Sequence, residues 1–241
     1  MKLEIVFLYH DLMNIYGDRG NIITLQQRCK WRGIEANVHN LTVGDKIDPD
    51  RYDFYFFGGG QDKEQYLVAD DLKSEKGSAL REAADSGAVF LTVCGGYQML
   101  GHYYRPDKGP DLPGLGILDV HTIAGNKRCI GNVIVQTEFG SLVAFENHSG
   151  KTYLGPKVRP LGRSEVGFGN NAEDGTEGAI QHNVFGCYLH GSLLPKNPHF
   201  ADHLIKLALQ RRYGKVELEP LDDTVEMAAH KAALQRARDT R

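Results

Sequence analysis

The chain has 241 residues, 41% of them hydrophobic and 24% charged, with a formal net charge of −3 at pH 7; it can bury a sizeable core, and it has no broad basic field to suit a nucleic-acid partner. No apolar run approaches the length of a membrane span, and the opening run MKLEIVFLYHDL is broken by charge too early for a signal peptide. The cysteines Cys29, Cys94, Cys129 and Cys187 form no CxxC pair, which argues against a disulfide framework or a cysteine-rich zinc site and fits a reducing cytoplasm.

Lys2 to Tyr9 reads as a first strand, followed by a segment rich in turn formers from Leu12 to Asn21. A helix is expected from Asn21 to Trp31, with Ile22, Leu25 and Cys29 on one face and Gly33 as its stop. Ile34 to Asn40 and Tyr52 to Phe57 follow as strands, the latter running into Gly58, Gly59 and Gly60. Gln61 to Ser86 has a helical pattern with a charged break near Lys73 to Gly77. Ala88 to Val93 is a short apolar run suited to an inner parallel strand, and Tyr97 to Leu100 begins another helix. This alternation predicts a doubly wound α/β sheet, mostly parallel and flanked by helices.

The alternation then stops. Gly116 to Ala124, Ile130 to Thr137, Ser141 to Glu146 and Ser164 to Phe168 are short segments separated by Gly, Pro and Asn, as in added antiparallel strands. Val184 to His190 is a further strand and Pro198 to Tyr213 a long helix. The remainder, 215–241, is acidic at its start and basic at its end, with few and small apolar positions. It reads as a peripheral helix with a favourable dipole, frayed in places, on a single domain spanning 1–241.

The stretch around Cys94 carries the chemistry. It lies between a buried strand and a helix start, followed by Gly95 and Gly96, the layout of a nucleophile elbow with Cys in place of Ser. The positive end of a helix favours thiolate, the nucleophilic form. The alternative is a buried structural thiol, which the two glycines disfavour. A thiolate attacking a carbonyl needs a proton shuttle and an oxyanion hole. His190, ending a strand before Gly191, is the candidate shuttle. The Gly58–Gly60 triplet, at the carboxyl end of a strand, could offer backbone N–H groups to an oxyanion together with Gly95. Neither GxxxxGK[ST] nor GxGxxG is present, so ATP would have to be used by another polypeptide. Glu146, His148, His182, Cys187 and His190 could each ligate a metal, but no pair has the spacing of a known site, and none is expected.

Together, Phe57 to Gly60, Cys94-Gly95-Gly96-Tyr97-Gln98 and Tyr188 to Gly191 resemble the class I glutamine amidotransferases with a cysteine nucleophile. Cys94 to Gly101, Gly114 to Leu118 and Phe145 to Gly150 are similar to the cobyric acid synthase type of glutaminase domain. The opening Asn14 to Asn21 and the lack of a fused ATP-using domain resemble the free-standing GatD type of glutaminase subunit, over Lys2 to about Tyr213. The resemblance implies that Cys94 attacks the carboxamide of L-glutamine, that His190 passes the proton to ammonia, and that Gly60 and Gly95 hold the oxyanion. It also implies that Arg128 holds the substrate; a guanidinium suits the α-carboxylate, the alternative being an exposed strand residue. Gln98 either hydrogen-bonds substrate or caps the helix turn. The implied partner is a Mur-ligase-like MurT subunit, carrying the ATP and Mg, which amidates the D-glutamate α-carboxyl of the lipid II stem peptide.

Two departures bear on these expectations. Thr92 stands where many members have Gly, so the elbow is expected to differ in shape. Ser192 stands where the family's third triad member, a carboxylate, would be, and a hydroxyl cannot stabilise imidazolium in the same way. Either His190 works in a dyad or another acid orients it, and in the GatD type the resemblance implies an Asp of the partner, with weak hydrolysis by the chain alone. Rival readings are a glutaminase for another acceptor such as a corrinoid carboxylate, a free glutaminase, and a non-catalytic glutamine-binding module.

Overall fold

The computed structural model describes residues 1–240. In chain order it contains β1 (Lys2–Leu8), α1 (Arg19–Trp31), β2 (Glu35–Leu41), β3 (Phe54–Phe57), α2 (Asp62–Asp71), α3 (Glu75–Asp85), β4 (Val89–Val93) and α4 (Gly95–Leu100). Next come β5 (Tyr103–Arg105), β6 (Leu112–Pro113), β7 (Val120–Thr137), β8 (Gly140–Leu154), β9 (Gly162–Val166), β10 (Thr176–Glu177), β11 (Ala179–Gln181) and β12 (Val184–Cys187). Helices α5 (Leu193–Lys196), α6 (Pro198–Tyr213) and α7 (Thr224–Asp239) complete the chain.

One sheet has the order β11-β12-β4-β3-β1-β2 and is parallel except for β11. Of its four inner strands, β3, β4 and β12 are buried at every position, which is why their sequences read as largely apolar runs. The register fixes where these strands end. Phe57 pairs with Thr92, and Cys187 with Val93, so all three strands stop at one level. Gly58, Cys94 and Tyr188 therefore leave the sheet side by side at its carboxyl edge, where open α/β sheets bind ligands. Gly96 is needed there: a Cβ on it would lie 2.4 Å from the Phe57 carbonyl oxygen. Its N–H bonds the Gly58 carbonyl at 3.1 Å.

The segments expected as separate short strands are largely one long ribbon, β7 paired antiparallel with β8, with an irregularity between Ala124 and Cys129. It anchors a second sheet of order β10-β9-β7-β5-β6. The strand expected to run to His190 stops at Cys187, because the chain crosses to this second sheet. His190 N–H bonds the Phe145 carbonyl at 2.7 Å, and Phe145 N–H bonds the His190 carbonyl at 3.1 Å. The expected break in the second helical region falls at 72–74, where the Ser74 hydroxyl caps α3 by accepting from Lys76 N–H.

The tail helix is docked rather than frayed. Ala237 is buried against Ile134, Val143 and Val166 of the second sheet, and His230 Nδ1 bonds the Lys196 carbonyl at 2.8 Å. Its first turn is tied down by Arg28 of α1, whose guanidinium bonds Asp202 of α6 and Asp223 at the start of α7. A small-residue helix face can pack this closely because little side chain separates it from the sheet.

Candidate active site

Cys94 has φ +51° and ψ −106°, a backbone conformation that a non-glycine residue adopts only when its surroundings enforce it. Cys94 N–H bonds the Cys187 carbonyl at 2.8 Å, and its own carbonyl accepts from Gln98 N–H at 2.9 Å. The elbow forms despite Thr92, whose buried hydroxyl turns sideways to the Phe185 carbonyl at 3.3 Å. Cys94 opens onto a cavity of about 460 Å³, lined also by Tyr16, Gly60, Gln65, Gln98, Arg128 and His148.

His190 is fully buried, its ring edge-on to Tyr16 with centroids 5.0 Å apart. Its Nδ1–H donates to Asp18 Oδ1 at 3.3 Å. The other Asp18 oxygen accepts from Gly59 N–H at 2.9 Å. Burial would push the imidazole towards its neutral form, but nearby Cys94 and the Asp18 carboxylate outweigh it and raise the pKa well above 6.5. Nε2 is buried without a hydrogen-bond partner among the described residues.

The acid beside this histidine therefore comes from the chain itself. Asp18 stands at the N-cap position of α1 but makes no capping bond with its side chain. Of the two alternatives, a dyad or another acidic group that orients His190, this contact answers to the second, with the acid from the chain itself. A signal was available in the sequence: an aspartate in the turn-rich segment following the first strand, at the edge where ligands bind. Nothing in the spacing joined it to a histidine 172 positions later.

Gly60 and Gly95 lie against one another; a Cβ on Gly95 would come within 3.2 Å of Gly60 N. No hydrogen bond engages the Gly60 N–H among the described residues, and Gly95 opens α4, where N–H groups lack helical partners. The pair is thus available as donors beside Cys94. Arg128 sits in the irregular stretch of β7, which turns its side chain towards the cavity. Its Nε donates to Asn147 Oδ1 at 2.5 Å and its Nη2 to the Tyr16 hydroxyl at 3.3 Å. Gln98 lines the cavity with its amide held at both ends: Oε1 accepts from Gln65 Nε2 at 2.8 Å, and Nε2 donates to the Tyr188 hydroxyl at 3.1 Å. Tyr16, Gln65, Asn147 and His148 were not singled out as lining residues from sequence. Asn147 and His148 belong to the Phe145 to Gly150 stretch, and Tyr16 to the same segment as Asp18.

A mostly parallel α/β sheet with a cysteine elbow, a buried histidine and free backbone donors at its carboxyl edge has the architecture of the class I glutamine amidotransferases. The chain belongs to the family of CobB/CobQ-like glutamine amidotransferase domains, whose model matches residues 4–198. It is 40% identical over 237 residues to the GatD subunit of the glutamine-hydrolysing lipid II isoglutaminyl synthase of Staphylococcus aureus, covering 98% of this chain and 96% of the relative. To the corresponding Streptococcus pneumoniae subunit it is 40% identical over 92% of this chain and 86% of that one. A probable cobyric acid synthase of Methanothermobacter thermautotrophicus is 37% identical over 54% of this chain but only 28% of its own length. Among solved structures, a glutamine amidotransferase of Thermotoga maritima superposes with a TM-score of 0.55 at 14% identity, over 98% of this chain and 92% of that one, a likeness of fold. No helix among the described residues is long and apolar enough to cross a membrane.

Proposed function

We propose that the chain is the glutaminase half of an amidating ligase. It releases ammonia from L-glutamine for a MurT-like, ATP-dependent subunit that amidates the D-glutamate α-carboxyl of the lipid II stem peptide. Near end-to-end likeness to the two GatD subunits supports this acceptor over a corrinoid one, since the cobyric acid synthases are matched over little more than a quarter of their length. Such a pair would work in the cytoplasm, where thiols stay reduced and ATP is supplied. The whole chain, tail helix included, would act as one glutaminase domain.

The single observation that carries the chemistry is the grouping of Cys94, which lines the cavity, with the buried pair His190 and Asp18 behind it. Cys94 Sγ attacks the carboxamide carbon of glutamine, forming the C–S bond while the carbonyl π pair becomes an oxyanion. The N–H groups of Gly60 and Gly95 receive that charge. His190 gives its Nε2 proton to the nitrogen, the C–N bond breaks, and ammonia leaves. Water then attacks the γ-glutamyl thioester, His190 takes its proton, and the sulfur departs as thiolate with release of glutamate. Asp18 stabilises the imidazolium through both steps. Arg128 pairs with the substrate α-carboxylate, and Gln98, committed to Gln65 and Tyr188, holds the wall beside the substrate's side chain.

Because the acid is in the chain, hydrolysis should proceed without the partner. The test is ammonia release by the purified chain, then mass spectrometry of lipid II after incubation with glutamine, ATP and the MurT-like subunit. Glutamine-dependent amidation at the second stem residue is expected. Amidation of a corrinoid but not of lipid II would overturn the acceptor.

A further inference from the structure

Ser192, two residues beyond the base, occupies the position from which a triad carboxylate would be expected, yet its hydroxyl is not directed to the imidazole. Ser192 Oγ donates to the Gly17 carbonyl at 2.5 Å, on the residue just before Asp18. On the other side of Asp18, a Cβ on Gly20 would lie 2.1 Å from Ser192 Oγ, so the loop closes over Ser192 only because position 20 is glycine. A little further along both segments, Leu194 N–H bonds the buried Asn21 Oδ1 at 2.8 Å. The segment carrying the base thus grips the segment carrying the acid before and after Asp18.

Ser192 also has φ +49° and ψ +96°, a conformation costly for a residue with a side chain and retained where the surroundings over-determine it. A carboxylate at 192 would meet the Gly17 carbonyl oxygen, acceptor against acceptor, and would repel the loop rather than hold it. We propose that Ser192 is a positioning residue that acts on His190 through Asp18. Its hydroxyl clamps the 17–20 turn so that the aspartate reaches the imidazole, replacing a carboxylate next to the base with one delivered from another segment. The inference rests on the glutaminase reading of Cys94 and His190.

The charged and titratable groups around His190 are Asp18 from the turn, Cys94 from the elbow and Glu177 from β10, and Tyr16 covers the ring. Of these only Asp18 is held by Ser192. The two variants S192A and D18N should therefore have one signature. In the full-length chain, S192A is expected to lower kcat for glutamine hydrolysis by roughly ten- to a hundredfold with KM little changed, as a small misplacement of a catalytic group does. The alkaline limb of the kcat profile should move to lower pH in both variants, because losing the carboxylate contact favours neutral imidazole. In the D18N background, S192A should cost nothing further. The downfield His190 Nδ1 proton resonance expected in the wild type should be lost in both variants. S192G, which relieves the backbone strain while removing the hydroxyl, should behave as S192A does and guards against misfolding of the alanine variant. A wild-type pH limb and ring-proton resonance in S192A and S192G, or a full additional loss in the double variant, would overturn the clamp. A wild-type chain that releases no ammonia would instead overturn the glutaminase reading, and the ring-proton resonance would still decide whether Ser192 positions Asp18.

Discussion

Aspartate at the first position of a helix ordinarily accepts from that helix's own N–H groups. Asp18 forgoes this and serves Gly59 N–H and His190 instead. A local rule broken without local gain marks a functional position, and it was not legible in the sequence because the gain comes from a residue on the far side of the fold. Cys94 and the glycine triplet were legible as candidates because each directly follows an apolar strand, and His190 because it closes an apolar run and precedes Gly191. Another buried carboxylate nearby responds to pH. Glu177 is fully enclosed, its Oε1 accepting from Tyr188 N–H at 2.6 Å, and burial pushes its pKa from 4.5 up to about 8. A carboxyl raised in this way binds its proton more tightly folded than unfolded. Its stabilising contribution is complete below pH 4.5 and is lost as pH rises through about 8. E177Q keeps an acceptor for Tyr188 and cannot ionise, so chemical denaturation should find it roughly 2–4 kcal/mol more stable than wild type at pH 9, with no such gain at pH 5. Equal pH dependence in the two proteins would contradict this.

Among elements, the decisive joint is between the end of β3 and the start of α4. Gly96 lets the helix approach so closely that a Cβ would meet two backbone carbonyl oxygens, those of Phe57 at 2.4 Å and Gly58 at 2.9 Å. Neither can swing aside as a side chain could. G96A should therefore cost about 2 kcal/mol in denaturant stability by overpacking. It should also slow glutamine hydrolysis more than that loss explains, because α4 carries Gly95 away from Gly60. Full activity in a destabilised G96A would show that this approach serves packing alone. The period-two and helical patterns located most elements of the parallel sheet. They failed on β7, where Gly125 and Asn126 read as a break between Gly116 to Ala124 and Ile130 to Thr137 in what is one strand, and on β8, which continues past Glu146 to Leu154. Long-range pairing supplies the continuity there, and no local pattern encodes it.

For the whole molecule, the tail helix is held by charge as well as by packing. Arg28, 2% exposed, bonds Asp202 and Asp223 with distances of 2.5–2.8 Å, so α1, α6 and the start of α7 share one guanidinium. R28A strands Asp223 and leaves Asp202 to Arg32 alone, and should lose about 3 kcal/mol, with hydrogen exchange of α7 quickening before that of the parallel sheet. Protection of α7 unchanged in R28A would mean that Ala237 and His230 suffice to dock it. The sequence offered only the tail's end charges, not the buried arginine that receives them. On the function proposed above, the sheet, the ribbon and the docked tail together hold one sulfur, that of Cys94, where it would take the glutamyl group. The direct measurement is to treat the purified chain with an electrophilic diazoketone analogue of glutamine and map the adduct by peptide mass spectrometry. One adduct on Cys94, blocked by excess glutamine and slowed in D18N, is the result expected; an unlabelled Cys94, or label on Cys29, Cys129 or Cys187 instead, would contradict it.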